Sequence, residues 1–244
     1  MPPDGAEERV GCVTPPPPPA APARTEPLDK QVVAATRSVI LVGNPNVGKS
    51  VLFGALTGKY VTVSNYPGTT VEVTRGTATL HGRPWHVMDT PGTNNLTPMS
   101  EDEQVTRDIL MKERDYACVQ VCDAKNLRRG LLLSAQLAEA GVPFVLALNM
   151  ADEAASRGFH VDEGRLAEAL GVAVIPTVAI ERKGVAQLTA ELEGARRSRF
   201  APRYDDAIEA ALAEVEPLLP VRGGLNRRAV ALMALVGDAS IREH

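Results

Sequence analysis

From Arg37 onward the chain alternates two hydrophobic rhythms. Short, largely apolar runs at 38–42, 116–122, 143–148 and 172–176 have the length and the Val, Ile, Leu and Ala content of strands buried on both faces. Between them, at 50–56, 101–112, 127–140, 162–170 and 185–192, apolar residues recur every three or four positions, the rhythm of helices with one buried side. Gly58 and Gly171 are placed to close the first and fourth of these helices. Segments 71–80 and 85–88 flank His81-Gly82-Arg83-Pro84 and read as an antiparallel hairpin. The alternation predicts an α/β fold: a mostly parallel sheet with helices on both faces, one antiparallel edge, and ligands at the carboxyl ends of the strands. Past Arg199 the strands stop. Stretches 205–215 and 226–236 read as two helices separated by Pro217, Pro220 and Gly223-Gly224, a small helical appendage with too few helices for a self-sufficient bundle.

Residues 1–36 stand apart from this pattern. Pro15 to Pro19 are an unbroken proline run with few large apolar neighbours, as in a disordered or polyproline II tail. The expected division is therefore a tail over 1–36, an α/β domain over 37–194 and a helical segment over 195–244. Apolar residues make up 44% of the 244 and aromatics only 4%, so the core must be built from aliphatic side chains. A net charge of −4 with a pI near 5.7 offers no basic field for a phosphate backbone and argues against nucleic acid as the main partner. Cys12 lies in the tail. Cys118 and Cys122 share one face of a strand four residues apart, too far for a disulfide, and read as core thiols of a reducing compartment. No secretory signal and no apolar stretch of about 18 residues occurs, which reads as a cytoplasmic chain.

The chemistry is carried by Gly43, Asn44, Pro45, Asn46, Val47, Gly48, Lys49 and Ser50, a complete G-x-x-x-x-G-K-[ST] loop between the first strand and the first helix, which Val51 continues. Backbone N–H groups and the helix dipole there suit a nucleotide polyphosphate, with Lys49 on its β/γ-phosphates and Ser50 on Mg²⁺. Four further segments follow in order. The loop Asn65-Tyr66-Pro67-Gly68-Thr69-Thr70 offers a hydroxyl for the Mg²⁺ shell, with Thr70 preferred and Thr69 the alternative. Asp89-Thr90-Pro91-Gly92 offers Asp89 for Mg²⁺ and, at Gly92, an N–H free to approach the γ-phosphate. Asn149-Met150-Ala151-Asp152 places a carboxylate, Asp152, to accept from guanine N1–H and N2–H₂; adenine lacks both donors. The competing role for Asp152 is a helix cap. Thr177-Val178-Ala179 provides a backbone N–H, that of Ala179, for guanine O6. Together these predict a P-loop NTPase with a Ras-like sheet that binds GTP and GDP.

These motifs, with 122–129 and 142–152, resemble the FeoB family of ferrous-iron transporters over about residues 37–192. The likeness continues weakly into 227–238, which is similar to the family's helical spacer. The resemblance implies a GTPase domain on the cytoplasmic face of the bacterial inner membrane, a membrane permease region as partner in the full-length protein, and a soluble N-terminal fragment as given. It implies K⁺ at Asn46, whose ordinary alternative is a turn-forming asparagine. Lys49, Asn46, Thr70 and Gly92 then carry catalysis. Met150 stands where many GTPases have lysine, which predicts modest affinity. Thr93 stands where Ras-type proteins have a water-orienting glutamine, which predicts slow hydrolysis. Asn94-Asn95 and Val178 depart from the family's usual residues. The alternative reading is a soluble GTPase of the ribosome-assembly or tRNA-modification class, in which Arg196, Arg197, Arg199, Arg203, Arg227 and Arg228 would meet RNA rather than solvent. A third is a nucleotide sensor without turnover. His81, His86, His160 and His244 are scattered and predict no iron site. The oligomeric state is open, a homo-oligomer included.

Overall fold

The computed structural model describes residues 37–57, 61–219 and 224–238. The proline-rich tail, Cys12 and the proposed helix stop at Gly58 lie outside them. The described residues all belong to one compact unit.

The chain runs β1 (Ser38–Gly43), α1 (Lys49–Leu56), β2 (Val61–Asn65), β3 (Glu72–Leu80), β4 (Arg83–Asp89), α2 (Glu101–Lys112), β5 (Tyr116–Asp123), α3 (Leu127–Glu139), β6 (Pro143–Asn149), α4 (Ala151–Ser156), α5 (Glu163–Leu170), β7 (Val174–Pro176), α6 (Val185–Leu192), β8 (Arg196–Arg197), α7 (Asp206–Val215) and α8 (Arg227–Leu235). The sheet order is β2-β3-β4-β1-β5-β6-β7, with the two-residue β8 antiparallel to β6. β4, β1, β5, β6 and β7 are parallel, and β2-β3-β4 forms the antiparallel edge. β1, buried along its whole length, is central. Its residues alternate between two cores. Ile40 and Val42 join Cys118, Phe144 and Leu146 beneath α2, α3 and α8. Val39 and Leu41 join Val119, Val145 and Ala147 beneath α1 and α6, where Leu52, Leu188 and Leu192 are fully buried. Each such leucine contributes about 1.5–3 kcal/mol of burial.

The hairpin turn is tighter than the sequence suggests. His81 and Gly82 alone form it, at φ 49° and 74°, the paired left-handed conformation of a two-residue turn. Pro84 is thereby inside β4, where β1 has not yet begun: the first β1 partner of β4 is His86. No ladder bond is lost on that side. Cys118 and Cys122 are buried free thiols, and burial pushes the Cys122 thiol up to about 12.

The helical segment does not build a core of its own. Leu225, Ala229 and Met233 join the sheet's core. Asn226 caps α8, accepting from Ala229 N–H at 2.8 Å, and donates to Glu139 O at 2.7 Å, fixing α8 to the end of α3. Arg228 pairs with Glu209 at 2.7 Å and reaches Glu139 and Glu216, so this arginine serves packing. Arg107, 1% exposed, pairs with Asp108 and Asp238 and ties α2 to the end of α8. Among the described residues no helix is long and apolar enough to cross a membrane.

Candidate functional site

The carboxyl ends of β1, β4, β6 and β7 bring four of the sequence motifs to one edge of the sheet. β1 ends at Gly43, and α1 begins at Lys49 with Gly48 at φ 89° before it. No acidic residue occupies the first turn of α1, so its dipole is uncompensated at the loop. Gly48 is required twice over: the left-handed φ disfavours other residues, and a Cβ would stand 2.3 Å from Asn149 Nδ2. Lys49 is buried and donates to Gly43 O at 3.1 Å and Asn44 O at 3.2 Å, which holds its ammonium across the loop. Burial draws that ammonium's pKa down, while Asp89 and Asp102 oppose the shift. Val51 is exposed on α1.

Ser50 Oγ donates to Asp89 Oδ2 at 2.7 Å. Asp89 Oδ1 is buried with no hydrogen-bond partner among the described residues, and desolvation raises the carboxyl's pKa against the pull of Ser50 and Lys49. A buried carboxylate oxygen with nothing to bond, next to a serine hydroxyl, fits a hard divalent cation that takes oxygen ligands. Among candidate hydroxyls in the preceding loop, the structure separates the two threonines. Thr69 is spent on the loop itself: its Oγ donates to Tyr66 O at 3.0 Å and accepts from Val71 N–H at 3.2 Å. Thr70 is exposed and makes no side-chain hydrogen bond among the described residues. Gly68, at φ 82°, completes this turn. The loop is anchored by Tyr66, whose hydroxyl accepts from Lys112 Nζ at 2.7 Å, a contact that neither residue's neighbourhood in sequence announces.

After β4, the chain is fastened to the phosphate loop. Thr90 Oγ1 donates to Leu41 O at 2.7 Å, and Thr93 N–H to Gly43 O at 3.0 Å. Gly92 lies against Pro45, whose ring a Cβ would meet at 2.8 Å, so its lack of a side chain is already required by the loop. Thr93 is fully buried with its hydroxyl on Asn95 O, where it cannot orient a water. Asn94 Oδ1 accepts from Asn44 Nδ2 at 3.1 Å and from Arg129 at 2.8 Å, and Gln136 Nε2 donates to Asn95 Oδ1 at 2.6 Å. The two asparagines thus tie this segment to the loop and to α3, through partners the sequence does not point to. Asn46 sits at φ 64°, a conformation asparagine tolerates. Its side chain is exposed and bonds to no backbone group among the described residues, so the turn-forming role explains its conformation and does not engage its amide there. With Asn44, Asp123, Asn126 and Arg129 it lines a cavity of about 220 Å³.

Asn149 is the brace of the base site. Buried, it donates to Val47 O at 2.9 Å and accepts from Ala179 N–H at 3.0 Å and Thr177 Oγ1 at 3.3 Å. The Ala179 N–H assigned to guanine is thus turned to Asn149. Val178 is buried and bridges to Lys183. Asp152 is exposed in the first turn of α4, whose capping position is Met150, so its carboxylate is not used as a helix cap.

A family model described as ferrous iron transport protein B matches residues 37–192. The Fe(2+) transporter FeoB of Staphylococcus aureus (strain MSSA476) is 37% identical over 176 residues, covering 70% of this chain and 26% of that protein. The chain thus spans about a quarter of the length of such curated relatives. The cytosolic domain of L. pneumophila FeoB superposes with a TM-score of 0.78 at 33% identity, covering 84% of each chain. The cytosolic domain of the T. maritima FeoB iron transporter in its GMPPNP form gives 0.77 at 32% identity, covering 85% of this chain and 84% of that one.

Proposed function

The chain belongs to the FeoB family, and from that premise we propose that it is the GTP-binding and GTP-hydrolysing domain of a ferrous-iron uptake transporter. The observation that carries the reading is Asn149, which clamps the phosphate loop at Val47 to the turn at Ala179 and so joins the polyphosphate and base ends of one site. The GMPPNP form of the T. maritima relative supports a guanine nucleotide as the ligand. Asp152, exposed and without a hydrogen bond among the described residues, accepts from the two donors on guanine's edge. Once a bound base covers that carboxylate and displaces its water, adenine would leave it without partners, a difference of about 10⁴-fold.

In this account Lys49 leaves the loop carbonyls to neutralise the β- and γ-phosphates. Ser50, Asp89 and Thr70 are the residues that would hold Mg²⁺, which draws negative charge from the phosphate oxygens. Asn46, with its free amide oxygen, would hold K⁺, which adds positive charge beside the loop. The N–H groups of the loop and of Gly92 orient the terminal phosphate. Water attacks the γ-phosphorus as the bond to the bridging oxygen breaks; its proton passes to the released phosphate and GDP leaves. Thr93 is buried with its hydroxyl on Asn95 O and does not take the orienting role of the Ras-type glutamine, so hydrolysis is slow. Iron is cargo for the permease region of the full-length protein, the partner of this domain at the cytoplasmic face of the bacterial inner membrane; homo-oligomers are compatible with this.

Phosphate release from GTP with Mg²⁺, measured in KCl and in NaCl, tests the assignment. Slow release, faster in KCl, is expected. Tight GTP binding with no release in either salt would favour a nucleotide sensor.

A further inference from the structure

The base site of this chain carries methionine where a lysine would present both an apolar stem and a charge. We propose that Lys125, on the neighbouring strand's exit, supplies that charge, so that Met150 and Lys125 together do the work of one lysine. The inference rests on the reading that the site takes a guanine nucleotide.

The strand register brings the two residues together. β5 and β6 are parallel, with Asp123 opposite Asn149, so the turns leaving them run side by side. Asp123 Oδ1 accepts from Lys125 N–H at 2.9 Å and closes a single 3-10 turn over Ala124–Asn126. From that turn Lys125 Nζ lies 3.2 Å from Met150 Sδ. It is held there by Glu153 Oε2 at 2.7 Å and Asp123 Oδ1 at 3.6 Å, and its side chain is only 14% exposed. A lysine free to choose its surroundings extends into water, and a thioether sulfur is a weak acceptor. This one lies down against Met150 because two carboxylates fix it there.

Met150 in turn faces the phosphate loop. Its backbone is left-handed, at φ 59°, and its Cε stands 3.9 Å from where a Cβ on Gly48 would be. The thioether chain therefore forms an apolar wall between the loop and the base site, and Lys125 backs that wall with an ammonium. Asp123, Asp152 and Glu153 bring three carboxylates to this end of the site towards a polyanionic ligand; Arg157 reaches Glu153 only at 3.9 Å, and Lys125 is the cation set against Met150 itself. A cation beside an aromatic base and its carbonyl oxygen is favourable. A second lysine at position 150 would put like charges in contact and gain nothing.

The test measures GDP and GTP affinities by titration calorimetry for the unmodified chain, Lys125→Ala, Lys125→Met, Met150→Lys and the double variant Lys125→Ala/Met150→Lys, each checked for its thermal unfolding. Both Lys125 variants are expected to weaken GDP and GTP alike by about 3- to 10-fold; the methionine keeps the stem and isolates the charge. Met150→Lys alone should bind no better than the unmodified chain, whereas the double variant should return to within about twofold of it. Unchanged affinity in Lys125→Met, tighter binding in Met150→Lys alone, or additive losses in the double variant would each overturn the proposal while leaving the guanine reading intact. Failure of the unmodified chain to bind either nucleotide would overturn that reading, and this inference with it.

Discussion

Replacing Asn149 with alanine removes three hydrogen bonds from a residue that is 3% exposed. The carbonyl of Val47 and the N–H of Ala179 lose partners at 2.9 and 3.0 Å. The Thr177 hydroxyl loses a longer one, at 3.3 Å, and can rotate to another acceptor. A stranded buried polar group costs about 1–3 kcal/mol. Water entering the vacated space recovers part of that, which leaves a net loss of about 3 kcal/mol. For a chain of this size each kcal/mol lowers Tm by about 2–4 °C, so the nucleotide-free variant should melt roughly 6–12 °C early. Asp152→Ala is the matched control. Its carboxylate is exposed and makes no hydrogen bond among the described residues, so stability should change by less than about 0.5 kcal/mol while the preference for guanine is lost. Thermal and urea unfolding without nucleotide read both. An Asn149→Ala chain with the unmodified Tm, or an Asp152→Ala chain equally destabilised, would refute the division between brace and reader.

Three more outcomes are expected. Thr70→Ala should lower phosphate release about tenfold or more with Tm unchanged, whereas Thr69→Ala should cost about 1 kcal/mol of stability because its hydroxyl closes the loop. Asp89→Asn should abolish Mg²⁺-dependent release yet raise the urea midpoint of the nucleotide-free chain at neutral pH. The sign follows from burial: the folded state holds the Asp89 proton more tightly than the unfolded one, so stability falls as pH rises from the unfolded pKa through the raised folded one, and the neutral amide removes that loss. Asn46→Ala should erase the difference in release rate between KCl and NaCl while leaving the NaCl rate within about twofold, since its side chain makes no hydrogen bond among the described residues.

The parts of the fold legible in sequence are those whose burial is uniform. β1, β5 and β6 are apolar on both faces and read as strands without regard to their neighbours. β2 is exposed throughout and β8 is two arginines long, so neither presents a buried pattern, and both exist through pairing with a better strand. α4 has six residues, too few for a helical rhythm to show. At the site, the loop, Asp89 and Asn149 were legible because their chemistry is fixed by order along the chain. Their relations were not. That Asn149 braces Val47 joins residues 102 positions apart, and that Lys125 meets Met150 depends on the register of β5 against β6. Gly92 was read from the sequence for an approach to phosphate, and the structure gives its missing side chain a nearer reason: Pro45 crowds it. The choice between Thr69 and Thr70 turned on which hydroxyl the loop consumes, a matter of local geometry.

Direct competition of GTP and ATP for the unmodified chain with Mg²⁺, by calorimetry, probes the whole arrangement at once. A single site per chain favouring GTP by about 10⁴-fold is the expected result. Equal binding of the two nucleotides, or binding of neither by folded material, would contradict it.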